Sequence, residues 1–231
     1  MVSIVSGLSS PEILCNVASN ADGPAGGDAL MRVLVACEFS GVVRDAFLKR
    51  GHDAVSCDLL PSDSPLGSHY RGDVLDIIDD GWDMMIAHPP CTYLSVAGNA
   101  WLNQPGRLEL RDEAYSFVRC LARARIPKIC IENPVGFLNS HWRKPDQIIH
   151  PYYFGDAKLK RTCLWLKGLS PLSYVPGFYP IPEPVYVSAG AGTKGKKIHW
   201  TESIGKKKGT GWMERSRTSK SIAAAMARQW G

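Results

Sequence analysis

A cysteine that follows two prolines is the clearest candidate for a reactive group in this chain. The apolar stretch 83–88 predicts a strand, and Pro89-Pro90 ends it because proline offers no backbone N–H for pairing. Open α/β sheets bind their substrates at the carboxyl ends of the strands, and a thiol placed there can act as a nucleophile. The sequence therefore predicts that Cys91 attacks a substrate covalently; the alternative is an inert buried thiol.

A second predicted strand ends in a carboxylate. Residues 129–131 are apolar and lead directly into Glu132 and Asn133. If both strands belong to one parallel sheet, Glu132 and Cys91 reach the same edge, where a carboxylate can handle a proton during attack by the thiol. A surface carboxylate is the alternative. His88, just before the prolines, is expected to pack or to orient a neighbour rather than to act as a base.

The composition is that of one folded core with room for a small appended lobe: 231 residues, 45% hydrophobic and 21% charged. No apolar run approaches the roughly 20 residues that a membrane helix needs, and residues 1–30 lack the pattern of a secretory signal. The seven cysteines show neither a Cys-x-x-Cys pair nor a zinc-like Cys/His spacing. We therefore expect a cytoplasmic protein with reduced thiols and no metal, and Cys37, Cys57 and Cys130 as small core residues.

Strands of the buried type alternate with helical segments along most of the chain. Residues 32–37 form a continuous apolar run typical of a parallel strand, and Gly51 ends the helix that follows. This alternation predicts an α/β fold with a doubly wound, mostly parallel sheet. Further strands are predicted at 52–58, 83–88, 129–132 and 161–166, and further helices at 108–125 and 221–229.

Four segments are predicted from the composition. A flexible N-terminal extension spans 1–30, a catalytic domain spans 31–175, a basic region spans 176–219, and a C-terminal helix at 220–231 returns to the catalytic domain. The net charge is +5, and the basic region concentrates positive charge among glycines and tryptophans. That mixture favours contact with a phosphate backbone, a solvated lysine-rich loop being the alternative.

The first strand-turn-helix is where a nucleotide-like cofactor would bind. Phe39-Ser40-Gly41 supplies a glycine turn that exposes backbone N–H groups at the start of the helix. Asp58 ends the second strand, where an acid can accept hydrogen bonds from ribose hydroxyls. Asp73 follows within reach of an adenine amino group. Each acid alone is more often a turn residue, but their order along the chain favours a cofactor site.

Taken together, these motifs resemble those of the cytosine-C5 DNA methyltransferases, in particular the short phage-type members. The resemblance covers roughly residues 31–168 and keeps the motif order of that family. Its most specific parts are a proline-cysteine pair followed by a serine, and a glutamate-asparagine pair, each pair ending a strand. The matching positions are Phe39-Ser40-Gly41, Asp58, Asp73, Pro90-Cys91 with Ser95, Glu132-Asn133, Tyr153-Phe154-Gly155 and Lys160-Arg161.

The resemblance implies the class I S-adenosylmethionine-dependent methyltransferase fold (Rossmann-like), with a small C-terminal recognition insert and S-adenosylmethionine as cofactor. It implies DNA as substrate, with a cytosine flipped out of the duplex, and a monomeric enzyme of a bacterial or phage-infected cell, of the restriction–modification kind. Cys91 would attack C6 of the base, Glu132 would hold and protonate N3, and Arg161 would contact the base or its phosphate. The cofactor would be surrounded by Phe39, Ser40, Gly41, Asp58, Asp73 and Pro90.

The sequence departs from the family pattern at positions that bear on function. Val42 and Val43 stand where further glycines are usual, and Pro134 replaces the valine that usually follows the glutamate-asparagine pair. The region 176–219 is shorter than the recognition region of members that read longer sites. We therefore expect a short or relaxed target sequence.

Three alternative interpretations stay open. His88-Pro89-Pro90-Cys91 also resembles the acid-Pro-Pro-aromatic loop of DNA amino-methyltransferases, which modify adenine N6 or cytosine N4, although a thiol stands at the aromatic position and Glu132 has no role in that chemistry. The sparse glycine turn would also fit a catalytically silent DNA-binding relative. Within the first interpretation, the same thiol and carboxylate could transfer a different group from a modified sulfonium cofactor.

Overall fold

The computed structural model describes residues 29–99, 101–156, 160–174 and 216–231, together with the short stretches 187–188, 197–198 and 213. The predicted N-terminal extension and the basic region 176–219 lie almost entirely outside these residues, so both stay predictions. No described helix is long and apolar enough to cross a membrane.

A seven-stranded mixed sheet forms the centre of the fold, in the order β3-β2-β1-β4-β5-β7-β6. Strands β1 to β5 run parallel to one another, whereas β7 is antiparallel to both of its neighbours, β5 and β6. The predicted α/β fold with a mostly parallel sheet is therefore confirmed, and the sheet is compatible with a Rossmann-like fold. The strands are β1 (Arg32–Ala36), β2 (Asp53–Asp58), β3 (Ser68–Arg71), β4 (Met84–Ala87), β5 (Lys128–Pro134), β6 (Gln147–Ile149) and β7 (Thr162–Lys167), with a separate antiparallel ladder of β8 (Val187–Ser188) and β9 (Lys197–Ile198).

Helices cover both faces of this sheet. α1 (Val42–Leu48) and α5 (Lys220–Trp230) pack together on one face. α3 (Arg107–Ala122) and α4 (Phe137–His141) lie on the other face. α2 (Val96–Asn99) is a single turn in the connection after β4.

The central strands β1 and β4 are buried on both faces, which is why their sequences are continuously apolar rather than alternating. Val33 and Val35 pack in the core on the α1 side, whereas Leu34 and Ala36 pack in the core on the α3 side. All four are fully buried, and burial of a Val or Leu side chain contributes about 1.5–3 kcal/mol. This core fixes the carboxyl ends of β1 and β4, between which the strand order reverses.

The predicted C-terminal helix is present as α5 and is largely buried. Ile222, Ala223 and Met226 lie in the core, and Nε1 of Trp230 donates a hydrogen bond to the carbonyl oxygen of Ser170 at 2.9 Å. The helix packs against α1 and against the 3-10 turn Pro151–Phe154. It therefore closes one face of the sheet.

Candidate functional site

A cavity of about 750 Å³ opens at the carboxyl ends of β1, β4 and β5. It lies beside the reversal of strand order between β1 and β4, the position at which doubly wound sheets bind ligands. The structure brings several of the predicted site residues together there. Its lining includes Phe39, Ser40, Asp58, Pro90, Cys91 and Glu132.

Cys91 stands at the start of a tight turn that leaves β4. The backbone N–H groups of Leu94 and Ser95 donate to the carbonyl oxygen of Cys91, at 3.1 and 2.9 Å. Nδ2 of the buried Asn133 donates to the carbonyl oxygen of Pro89 at 2.8 Å. A side chain of β5 therefore ties down the proline corner, and the thiol is half-buried in the cavity wall.

The loop after Cys91 lies against the segment that follows β5. The N–H of Phe137 donates to the carbonyl oxygen of Leu94 at 2.7 Å, and Ser95 pairs with Gly136 in an isolated β-bridge. A Cβ on Gly136 would overlap that carbonyl oxygen and would lie 2.9 Å from Cα of Ser95. Glycine is therefore required by space at this position, and the contact fixes the loop that presents the thiol.

His88 and Glu132 form a nearly buried pair at the neighbouring ends of β4 and β5. Ala87 pairs with Ile131 in the parallel ladder, so the next residue of each strand emerges at the same level. Nδ1 of His88 lies 3.1 Å from Oε2 of Glu132, and the two side chains are 8% and 12% exposed. Nε2 of His88 is buried and has no hydrogen-bond partner among the described residues.

The surroundings of Glu132 favour its ionised form. Burial by itself raises the pKa of Glu132, but the hydrogen bond with His88 and the electrostatic interactions with Lys160 and His88 outweigh burial, and the pKa lies below its ordinary value. Lys160 lines the cavity as well. A carboxylate that is charged at neutral pH can accept hydrogen bonds from the N–H groups of a base and can stabilise a proton that the base gains.

The other thiols in this region are poor nucleophiles. Cys37 lines the cavity, but burial and the negative charge of Asp58 raise its pKa well above the ordinary range. Burial and nearby carboxylates raise the pKa of Cys57 to about 12, and burial raises the pKa of Cys130. Cys57 and Cys130 are buried as predicted, whereas Cys37 is half-buried and follows β1 in the left-handed conformation, with φ 58°.

On the β1 side, the start of α1 is closed by a carboxylate of the protein itself. Oε1 of Glu38 accepts a hydrogen bond from the N–H of Val43 at 2.7 Å, and Oε2 accepts one from the N–H of Arg44 at 3.2 Å. Glu38 thus occupies the N–H groups that were predicted to face a ligand. Gly41 has φ 70°, and a Cβ there would lie 2.6 Å from Nη2 of the buried Arg44. Glycine is therefore needed here because the buried side chain of Arg44 leaves no room for a Cβ.

The two acids predicted to bind the cofactor have different surroundings. Asp58 lines the cavity at the end of β2, and its Oδ1 accepts a hydrogen bond from the N–H of Leu60 at 2.9 Å. Asp73 caps the 3-10 turn Val74–Asp76, with Oδ1 accepting from the N–H of Leu75 at 3.0 Å. Of the two acids, Asp58 is the one placed among the described lining residues.

The sequence predicted Arg161 as the cation of the site, but Lys160 is the one that lines the cavity. Arg161 is exposed just before β7 and is not among the described residues that line the cavity, whereas its neighbour Lys160 is. Arg107, at the start of α3, and Trp101 line the cavity too. Successive side chains of an extended segment point to opposite sides, so the Lys160-Arg161 motif alone does not tell which cation faces inward.

Comparison with known proteins identifies no relative of this chain, so its function has to be argued from the fold and the site. No protein-family model matches the chain, and no curated protein matches its sequence. The chain is an α/β protein with a mostly parallel seven-stranded sheet and a cavity, at the reversal of strand order, that is lined by both a thiol and a carboxylate.

Proposed function

We propose that this protein is a DNA (cytosine-5-)-methyltransferase that uses Cys91 as a covalent nucleophile toward C6 of a flipped cytosine. The observation that carries the proposal is the presence of Cys91 and Glu132 in one cavity, at the ends of the paired strands β4 and β5, with His88 hydrogen-bonded to the carboxylate. A thiol that attacks a ring and a carboxylate that stabilises the charge on that ring must line the same cavity, so that both reach one bound base. The motif order described above supports the same function.

The residues of the chain would act in sequence on the base. The thiolate of Cys91 forms a bond to C6, the C5–C6 pair of electrons moves to form C4=C5, and the C4=N3 pair moves to N3. N3 takes a proton from water, and the ionised Glu132 carboxylate accepts a hydrogen bond from the new N3–H and stabilises it. C5 is now enamine-like and takes the methyl group, while the N3 electron pair re-forms C4=N3 and the N3 proton returns to water. Transfer of the C5 proton to a water molecule then restores C5=C6 and expels the Cys91 thiolate.

S-adenosylmethionine, when bound, would supply an electrophilic methyl group. The β1–β2 side of the cavity fits this molecule, since it combines the ring of Phe39, the hydroxyl of Ser40 and the carboxylate of Asp58. An aromatic face suits an adenine ring, and an acid at the end of the second strand suits ribose hydroxyls. The volume of about 750 Å³ falls in the range of small-molecule sites.

Flipping the cytosine costs a few kcal/mol of unstacking, which contacts at the cavity must offset. Trp101 is exposed and lines the cavity together with Arg107. An aromatic ring that stacks on a base contributes about 1–3 kcal/mol. We therefore assign Trp101 to base stacking and Lys160 to contact with the phosphate or with the carbonyl oxygen of the base.

Duplex DNA that carries tritium at C5 of cytosine tests the proposal. The expected result is release of tritium to water in step with methyl transfer, 5-methylcytosine on mass analysis of the nucleosides, and loss of both in Cys91→Ser. N4-methylcytosine or N6-methyladenine without tritium release would overturn the C5 mechanism in favour of the amino-methyltransferase.

Two further outcomes separate the remaining interpretations. A heavier substituent at C5 would indicate a modified sulfonium cofactor and would leave the Cys91 mechanism in place. DNA binding without any product, over DNA of varied sequence, would favour a catalytically silent relative.

A further inference from the structure

Helix α3 carries a row of arginines at four-residue spacing. Arg107, Arg111, Arg119 and Arg123 stand at successive steps of four, with Tyr115 at the step between Arg111 and Arg119. Residues four apart are neighbours on a helix surface, and like charges at this spacing destabilise a helix by a few tenths of a kcal/mol. Helix stability therefore does not account for this arginine row.

Three guanidinium groups of the arginine row lie over aromatic rings. Cζ of Arg107 is 4.6 Å from the centre of the Tyr93 ring, and Cζ of Arg111 is 4.4 Å from the centre of the Phe137 ring. Cζ of Arg119 lies 5.6 Å from the ring of Tyr115 on the same helix. Stacking of this kind orders a long side chain in advance, so that less conformational entropy is lost when the guanidinium binds an anion.

Arginines outnumber the acids near the arginine row. From 107 to 125 the sequence has five arginines against three acids, at 109, 112 and 113, and Asp79 lines a cavity beside Arg119 and Arg123. None of the ion pairs found among the described residues includes an arginine of the row. Nε of Arg107 and Nε of Arg111 are buried without a hydrogen-bond partner in the described part of the chain. These donors are unused within the described fold.

The arginine row connects two cavities. Arg107 lines the candidate active site, whereas Arg119 and Arg123 line a second cavity of about 520 Å³ that also includes Arg125. Sixteen residues separate Arg107 from Arg123, the two ends of the row, which corresponds to roughly 24 Å at 1.5 Å per residue. One DNA strand advances about 3.4 Å per nucleotide, so the row matches about seven nucleotide steps.

We propose that the arginine row binds the phosphate backbone of duplex DNA whose target cytosine enters the cavity beside Arg107. The inference rests on the proposed function and adds the surface that holds the substrate. Arginine forks match phosphate oxygens in a bidentate geometry. Phosphate contacts position a duplex without reading its sequence, which agrees with the short or relaxed target sequence expected from the small recognition region.

The test is the salt dependence of duplex binding by a variant that keeps Arg107, because Arg107 belongs to the cavity. The triple variant Arg111→Gln, Arg119→Gln and Arg123→Gln removes three charges from the row. Each lost phosphate contact lowers the slope of log K against log salt by about 0.9, so the slope should fall by about 2 to 3. Kd at near-physiological salt should rise by roughly tenfold or more.

A matched control removes three positive charges from the opposite face of the sheet. Lys49→Gln, Arg50→Gln and Arg228→Gln change exposed residues beside α1 and on α5 and should leave the slope within about 0.5 of wild type, which is less than the loss of one contact. Equal slopes in the row variant and in wild type, with both folded by circular dichroism, would overturn the inference. The inference would also be overturned if the arginine row bound RNA in preference to duplex DNA.

Failure of the proposed function would look different. If the row variant loses salt-dependent DNA affinity but the wild type produces no modified cytosine, the arginine row stands as a DNA-binding surface and the methyltransferase assignment fails. If methyl transfer occurs and the row variant binds DNA like wild type, the assignment stands and the row does not bind the backbone.

Discussion

Nδ1 of His88 lies 3.1 Å from Oε2 of Glu132, where the paired strands β4 and β5 end side by side. The hydrogen bond fixes the carboxylate in the cavity wall and offsets the effect of burial on its pKa. In the proposed reaction, this carboxylate has to meet N3 of a cytosine while the Cys91 thiolate meets C6. His88 therefore acts as a positioning residue, which determines both the orientation and the charge of Glu132.

Replacement of His88 by Leu should raise the pKa of Glu132, because the hydrogen bond is lost and burial is then opposed only by the charge of Lys160. We expect kcat to fall at least tenfold, about 1.4 kcal/mol in activation free energy, with an altered pH profile. The pKa can be followed by carbon NMR of the glutamate carboxyl groups. His88→Gln keeps a donor for the carboxylate and should recover part of the activity; an unchanged Glu132 pKa in His88→Leu would contradict this role.

Glu132 should also contribute to the pH dependence of folding stability. Its pKa in the folded protein lies below its ordinary value of 4.5, so its contribution is fully present above about pH 4.5 and is lost as the pH falls through the lower folded value. In urea unfolding, the stability difference between wild type and Glu132→Gln should therefore shrink from pH 7 toward pH 3.5. A difference that grows on acidification would show that the folded-state pKa is raised instead.

Gly136→Ala should disturb the nucleophile loop from outside the cavity. The new Cβ would overlap the carbonyl oxygen of Leu94, so the loop has to move. Overpacking of this kind costs about 1–3 kcal/mol of stability, and a shift of about 1 Å in a reacting group can cost roughly a hundredfold in rate. Calorimetry should show S-adenosylmethionine binding close to wild type. A variant with full activity would mean that this contact does not position Cys91.

The sequence allowed the main strands, and the positions of Cys91 and Glu132 at the ends of two of them, to be predicted for local reasons. Proline cannot continue a ladder, so Pro89 and Pro90 mark the end of β4 and place Cys91 beyond it. Apolar runs without alternation identify strands that are buried on both faces, as β1 and β4 are. The apolar stripe of the last segment likewise predicted α5, whose inner side is buried.

Other features of the site depend on relationships that no local pattern contains. The contact between His88 and Glu132 follows from the register that pairs Ala87 with Ile131, and a shift by one residue would separate the two side chains. The side chain of Glu38 caps the start of α1, although Glu38 itself lies in the turn that precedes the helix. An apolar run does not indicate the direction in which a strand pairs, so the antiparallel pairing of β7 with β5 was not predictable from the sequence.

Trapping with 5-fluorocytosine tests the central claim most directly. DNA that contains this base is incubated with S-adenosylmethionine and protein, then separated on a denaturing gel. The final elimination requires loss of a proton from C5. A base cannot remove fluorine from C5 in this way, so the attacking thiol stays bonded to C6. Cys37→Ser serves as the control, because that thiol lines the same cavity with a raised pKa.

We predict a covalent protein–DNA adduct with wild type and with Cys37→Ser, and none with Cys91→Ser. Methyl transfer to DNA that persists in Cys91→Ser without any adduct would contradict the account.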